Sequence, residues 1–429
     1  MIKKNEEPLV RQLSVLGIWV LAVNGLIGAG IFGLPAEVAR LTGAYSPLIF
    51  AGCGLLMLAV VLCFAEVSSY FRNTGGPILY TKTAFGPFIG FQTGWTLYVA
   101  RVTAFAANIN LLVSTVGYFW VDANYGTVRI LLLFSICALL AWVNIVGAKQ
   151  AMRSVGILTL LKFLPLIILV GFGLSYLELD QIMLTSAELP GYSEFGLAAL
   201  ISIYAFVGWE GALIPAGEAK NPSRDMPRAL FWALGSVTLL YIAIQFVSMA
   251  ALPTLASSTR PLVEVANAMM GPAGAIILTI GVVVSVGGNV ASNIFTTPRV
   301  TYAISREGNL PPWFGEVHKT YLTPANSILF FAVIVFALAT YGSFVWLAAI
   351  SALTRILIYM LCIGAIPKLR KMMPVTANTY RLPGGYIIPV GALLICTWLL
   401  SSISLNSVIF TLIFLGIGSL LYFLMKRYQ

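Results

Sequence analysis

The chain has 429 residues, 59% of them hydrophobic and only 9% charged. A soluble domain carries roughly 25% charged residues, so these charges are too few to cover a water-facing surface. The formal net charge of +10 does not mark a nucleic-acid binder, because the basic residues form no stripe.

Apolar runs of about 20 residues, the length that crosses a ~30 Å hydrocarbon core, recur from end to end. The pattern predicts an all-α integral membrane protein of about twelve helices. Their cores are residues 14–41, 45–70, 87–119, 128–147, 154–177, 195–218, 228–252, 272–304, 325–341, 343–367, 385–402 and 405–425. The third and eighth look long enough to tilt, and residues 255–270 could add a short helix outside. The polar start, Met1 to Arg11, reads as the flank of an uncleaved first helix rather than a signal peptide, because the apolar pattern runs on to Ala39.

With the N-terminus in the cytoplasm, the inside segments hold Lys3, Lys4, Arg11, Arg72, Lys82, Lys149, Arg153, Lys220, Arg224, Arg228, Arg299, Arg306, Lys319, Lys368, Arg370, Lys371, Arg381, Lys426 and Arg427. The outside segments hold Arg40, Arg129 and Arg260. This bias puts both termini inside. Glu178, Asp180, Glu188 and Glu194 fall in an outside loop without a base. The basic run from Lys220 to Asp225 and the segment Arg306 to Gly308 read as a solvated cytoplasmic face, with inward-gate salt bridges as the sharper alternative.

Two helices carry helix-weakening residues in mid-run. One is Gly25 to Pro35 (GLIGAGIFGLP) and the other Tyr204 to Ala212 (YAFVGWEGA). Close packing of the G-x-x-x-G kind is the simple explanation. Against it, the glycines are clustered, and the clusters open equivalent five-helix blocks, as an inverted repeat would arrange them. Unwinding there frees backbone groups that lipid cannot satisfy. The N–H groups of Gly28, Ala29 and Gly30 would then attract a carboxylate. The C=O groups near Ile27, Tyr204, Ala205 and Val207 would accept from an ammonium. A site with both suits an α-amino acid.

These segments resemble the amino acid–polyamine–organocation transporters, whose fold is a LeuT-like 5+5 inverted repeat followed here by two further helices. GLIGAGIFGLP resembles the family's unwound first helix. Phe206 to Arg228 (FVGWEGALIPAGEAKNPSRDMPR) resembles its sixth helix and the next loop, and Arg299 to Phe314 (RVTYAISREGNLPPWF) the inner end of its eighth. The likeness spans nearly the whole chain, as one transporter domain with repeats at 14–177 and 195–367 and helices 11 and 12 at 385–425. It implies backbone ligands at Ile27 to Gly30 and Tyr204 to Val207, an aromatic gate at Tyr204, and a helix 5 lysine, Lys162, where sodium-coupled relatives bind the ion. Its expected neighbours are the helix 1 break and Ser285 to Ser292. Many members carry a hydroxyl where this chain has Ala29, which leaves only backbone donors for the carboxylate.

Lys162 lies roughly 14 Å into its helix at 1.5 Å per residue. It could change protonation between states, as proton coupling needs, or brace helices 1, 5 and 8 as a fixed charge. Arg101 and Arg355 are also intramembrane, and each needs several carbonyls or an acid from among Glu37, Glu66 and Glu210, unless Arg101 faces the pocket and favours a polar or acidic side chain. Glu210 reads as a structural tie or a partner for a basic substrate. Phe105 and Asn108 follow Arg101 by one and two turns and could line the pocket. Asn289 could pack on Lys162.

The expected function is secondary active transport of amino acids by alternating access, sodium-independent and proton-coupled. An obligate amino acid or polyamine exchanger is the alternative. A channel would need a repeated selectivity ring, and none is visible. Five cysteines without a C-x-x-C pair and a single histidine, His318, give no metal or hydrolase cluster. No cofactor, no nucleic acid and no obligate protein partner is expected. The expected surroundings are a lipid bilayer, the inner (plasma) membrane of a bacterium.

Overall fold

The computed structural model describes residues 14–71, 75–146, 155–177, 189–218, 222–373 and 379–427. Lys3, Lys4, Arg11, Arg72, Lys149, Arg153, Lys220, Glu178, Asp180 and Glu188 lie outside the described residues.

All regular structure among the described residues is helical. Helix α1 (Val15–Leu26) and helix α2 (Ala29–Thr42) flank a two-residue gap. They are followed by α3 (Ser46–Ser69), α4 (Gly76–Phe85), α5 (Pro87–Val116), α6 (Gly126–Val146) and α7 (Val155–Gly173). Helix α8 (Tyr192–Ile203) gives way to 3-10 turns at Tyr204–Phe206 and Trp209–Glu218. Then come α9 (Pro222–Ala251), α10 (Pro261–Thr296), α11 (Pro298–Arg306), α12 (Ala325–Tyr341), α13 (Phe344–Met372), α14 (Ile387–Ser401) and α15 (Leu405–Arg427).

Seven helical stretches among the described residues are long and apolar enough to span a bilayer, and further apolar helices are shorter. The protein is a multi-pass membrane protein. Its outer faces carry exposed Leu131, Phe134, Trp142, Leu412 and Phe423. Apolar side chains suit a lipid-facing wall, since lipid tails are as apolar as they are.

Three local features differ from the sequence expectation. Residues 76–85 form α4, which a span-length criterion overlooks because it has only 10 residues and carries Lys82. Residues 261–270 are the first part of α10, and the chain turns at Gly271, whose φ of +64° suits glycine. Helix α10 stops at Thr296 rather than 304. Pro298, without an N–H, opens the separate helix α11.

The packing sorts the loops into two groups. Lys82 meets Glu307 at 3.4 Å, Thr323 donates to Ile145 O, and Ser69 donates to Tyr380 O, all among segments assigned inside by charge. Asn110 donates to Gly342 O, Tyr176 to Met269 O, and the Arg260 guanidinium lies over the Tyr118 ring, all among segments assigned outside. The positive-inside count and the tertiary contacts therefore agree on which ends belong together.

Candidate substrate cavity

The α1–α2 gap is short and extended. Ile27 has φ −80°, ψ 95° and Gly28 has φ −129°, ψ −153°. After the first 3-10 turn, Val207 is extended and Gly208 has φ +105°, a conformation L side chains rarely adopt. The two irregular segments touch backbone to backbone. A Cβ on Gly25 would stand 2.2 Å from Gly208 O, and one on Gly208 would stand 2.4 Å from Gly25 O. Glycine is required at both places because no side chain stands between the carbonyls and could yield. Tyr241 of α9, fully buried, reaches both segments, with its hydroxyl 2.9 Å from Leu26 O and 3.1 Å from Ala205 O. Breaking the helices frees these acceptors, and Tyr241 answers them in place of water.

Lys162 of α7 is buried against the same gap. Its Nζ lies 2.7 Å from Asn24 Oδ1, 3.2 Å from Asn24 O, 2.8 Å from Asn289 Oδ1 and 3.4 Å from Ile27 O. Asn289 Nδ2 and Ser285 Oγ also donate to Ile27 O, at 3.3 and 3.5 Å. An ammonium has three donors and no acceptor, so an all-oxygen shell suits it. Lys162 joins α1, α7 and α10.

Glu210 sits at the other break. Its carboxylate accepts from Gly208 N at 2.7 Å and from the Tyr359 hydroxyl, and Arg355 Nε lies 3.5 Å away. Arg355 also donates to Ser351 Oγ and Ala100 O. The other two acids are committed elsewhere. Glu66 is bound by Arg370 through two nitrogens at 2.7 and 2.8 Å, and Glu37 by Arg40. Arg101 forms no hydrogen bond or ion pair with a described residue, and it lines a cavity.

That cavity, about 240 Å³, lies between the two breaks. Gly28, Ala29 and Gly30 form one wall, with Tyr204, Val207 and Gly208 beside them. Helix α5 contributes Leu97, Arg101, Ala104 and Asn108, and α10 contributes Asn289, Asn293 and Thr296. Helix α2 begins on the cavity without a side-chain cap, so the N–H groups of its first turn remain available to an anion. The Tyr204 hydroxyl, 3.0 Å from Asn108 Oδ1 and 3.3 Å from Ala104 O, closes one end, and Phe344 packs edge-on behind it.

The expected site residues therefore divide. Gly28, Ala29, Gly30, Tyr204, Val207, Arg101, Glu210 and Asn289 come together around the cavity. Phe105 does not face it. Its ring packs on Phe331 at 5.0 Å, and the smaller Ala104 forms the wall. The carbonyls of Ile27 and Ala205 accept from protein donors rather than standing open. Sequence reasoning passed over Asn24, Tyr241 and Asn293. Asn24 could have been found as a polar residue in an apolar run beside the glycine cluster, whereas nothing marks Tyr241.

A sequence model of the amino acid permease family matches residues 13–424. The chain belongs to this family. It is a membrane transporter of the amino acid permease kind rather than an enzyme. Among its relatives, the methylthioribose transporter of Bacillus subtilis is 26% identical, over 99% of this chain and 95% of that protein. A branched-chain amino acid permease of the same organism is 26% identical over 98% and 94%, and its serine/threonine exchanger 26% identical over 90% and 89%.

Proposed function

We propose that the protein carries an amino acid through the cavity by alternating access, without sodium, driven by protons, in the plasma membrane of a bacterium. The observation that carries this is the juxtaposition of an uncapped α2 N-terminus, suited to a carboxylate, with the irregular segment from Tyr204 to Gly208. The names of two of these relatives, a branched-chain amino acid permease and a serine/threonine exchanger, support amino acid cargo.

The finer architecture is part of the proposal. Taking α1 and α2 as one broken span gives twelve spans, and the five from α1–α2 to α7 correspond to the five from α8 to α13. The packing supports a two-fold relation. Helix α5 packs on α13 as α10 packs on α7, while α3 packs on α9 and α6 on α12. Exchanging the first block for the second maps this set of pairs onto itself. Within that frame Tyr204 is the outer gate. The cavity extends from it towards Leu21, Leu97 and Thr296, in the direction of the ends of α1, α5 and α10 that the charge count puts inside.

Lys162 occupies an oxygen-lined place between α1, α7 and α10, which supports sodium independence, since a fixed ammonium there leaves no room for a metal cation. Loss of its proton would loosen Asn24 and Asn289 and free α1 to move, which is the coupling step proposed. The second reading, obligate exchange with Lys162 as a permanent brace, is favoured by the completeness of that same shell.

Uptake of a labelled amino-acid panel into liposomes separates the two. Accumulation driven by an inward proton gradient, indifferent to sodium and lost in Lys162→Ala, supports symport. Uptake only into liposomes preloaded with amino acid supports exchange. If no amino acid is taken up in either setting, the substrate assignment fails.

A further inference from the structure

The charges around the cavity do not balance. Three charged side chains line it: Arg101, Glu210 and Arg355. Glu210 is consumed, because Gly208 N, the Tyr359 hydroxyl and Arg355 all address its two oxygens. Arg355 is paired with that carboxylate, its Nε 3.5 Å away, and donates to Ser351 and Ala100. Arg101 is left over, with no hydrogen bond or ion pair to a described residue. A guanidinium does not shed its proton and carries five donors in a rigid fork that matches a carboxylate. A half-buried intramembrane cation lining a cavity favours a counter-charge, and no described carboxylate pairs with it. Lys162, held by neutral oxygens alone behind Asn24 and Asn289, adds positive charge and offsets none.

The cavity thus has two places for an anion, the start of α2 and Arg101, and no uncommitted carboxylate for a cationic side chain. We propose that Arg101 binds a second anionic group on the substrate, so that the transported species is an acidic amino acid. Its α-carboxylate lies at Gly28 to Gly30 and its side-chain carboxylate takes the Arg101 fork. This deepens the amino acid assignment and rests on it. A basic amino acid is repelled, and a neutral one leaves the guanidinium without its partner, which is how a polar site rejects an analogue that lacks the matching group. Residues 97, 101, 104 and 108 share one face of α5, so Asn108, which accepts from the Tyr204 hydroxyl, and the proposed carboxylate site at Arg101 stand two turns apart on one rigid element.

The test uses the full chain, purified and reconstituted, with L-glutamate, L-aspartate, L-glutamine, L-leucine and L-arginine as labelled substrates. Wild-type protein should favour glutamate over glutamine by about tenfold or more in uptake efficiency. Arg101→Gln should reduce glutamate uptake at least about tenfold more than glutamine uptake. Thermal stabilisation of the detergent-purified protein by glutamate against glutamine gives a binding readout that does not depend on transport. Should Arg101→Gln not fold, Arg101→Lys keeps the charge and removes the fork, and glutamate should lose its stabilising advantage there. A wild type that prefers neutral over acidic amino acids overturns the proposal alone. Equal loss of glutamate and glutamine in Arg101→Gln also overturns it, because Arg101 would then hold the carboxylate common to both. So does an unchanged ranking in the variants. If no amino acid of either kind binds or moves, the amino acid assignment itself fails.

Discussion

Replacing Gly25 by alanine tests the contact on which the cavity depends. The added methyl would lie 2.2 Å from Gly208 O and 2.6 Å from Gly208 C, short of van der Waals contact by roughly 1 Å. Both neighbours are backbone, so no rotamer change relieves the clash. Overpacking costs about 1–3 kcal/mol when side chains can adjust, and a backbone obstacle belongs at the upper end. Alanine in a helix regains about 0.5–1 kcal/mol over glycine, which leaves a net loss of about 2 kcal/mol. Gly364→Ala in α13 is the control, because nothing lies within 4 Å of its added Cβ. Unfolding midpoints in detergent and uptake into liposomes are to be compared for the two variants. Gly25→Ala should unfold earlier and lose uptake, and Gly364→Ala should do neither. A Gly25→Ala protein with wild-type midpoint and uptake would refute the direct contact between the two irregular segments.

Tyr241→Phe removes the hydroxyl that serves Leu26 O and Ala205 O, and leaving a buried acceptor unmet costs about 1–3 kcal/mol. The loss should appear as an earlier unfolding midpoint while Gly25 and Gly208 still pack. Glu210→Gln strips the counter-charge from buried Arg355, at about 3–5 kcal/mol. Adding Arg355→Met to that variant should recover part of the midpoint, and a double variant no better than the single would show that the pair is not coupled.

Much of the architecture was legible in the chain because bilayer spans follow simple rules. A helix must be apolar for about 20 residues, and Lys and Arg stay on one side. The span from 325 to 341 was read with both ends where they fall. The breaks at Gly28 and Gly208 were legible because glycine clusters weaken a helix wherever they stand. Helix α4 was not, since a helix of 10 residues leaves no span-length signal. The acids were known as a set, but their assignment was not. Arg355 takes Glu210, whereas Glu66 goes to Arg370, which lies beyond the expected span 343–367 but still within α13.

The sequence by itself determined a multi-pass helical transporter, which loops share a side, its two weak points and the residues rich enough in chemistry to matter. Those properties depend on local composition and on the solvent each residue type tolerates. Tertiary structure decided which of those residues share a space. It turned Phe105 onto Phe331 and left Ala104 at the wall, bound Ile27 O and Ala205 O to Lys162 and Tyr241, and left Arg101 alone facing the cavity. Pairing between residues up to 327 positions apart depends on helix rotation and crossing, which a hydrophobic pattern with nearly uniform apolarity around each helix does not encode.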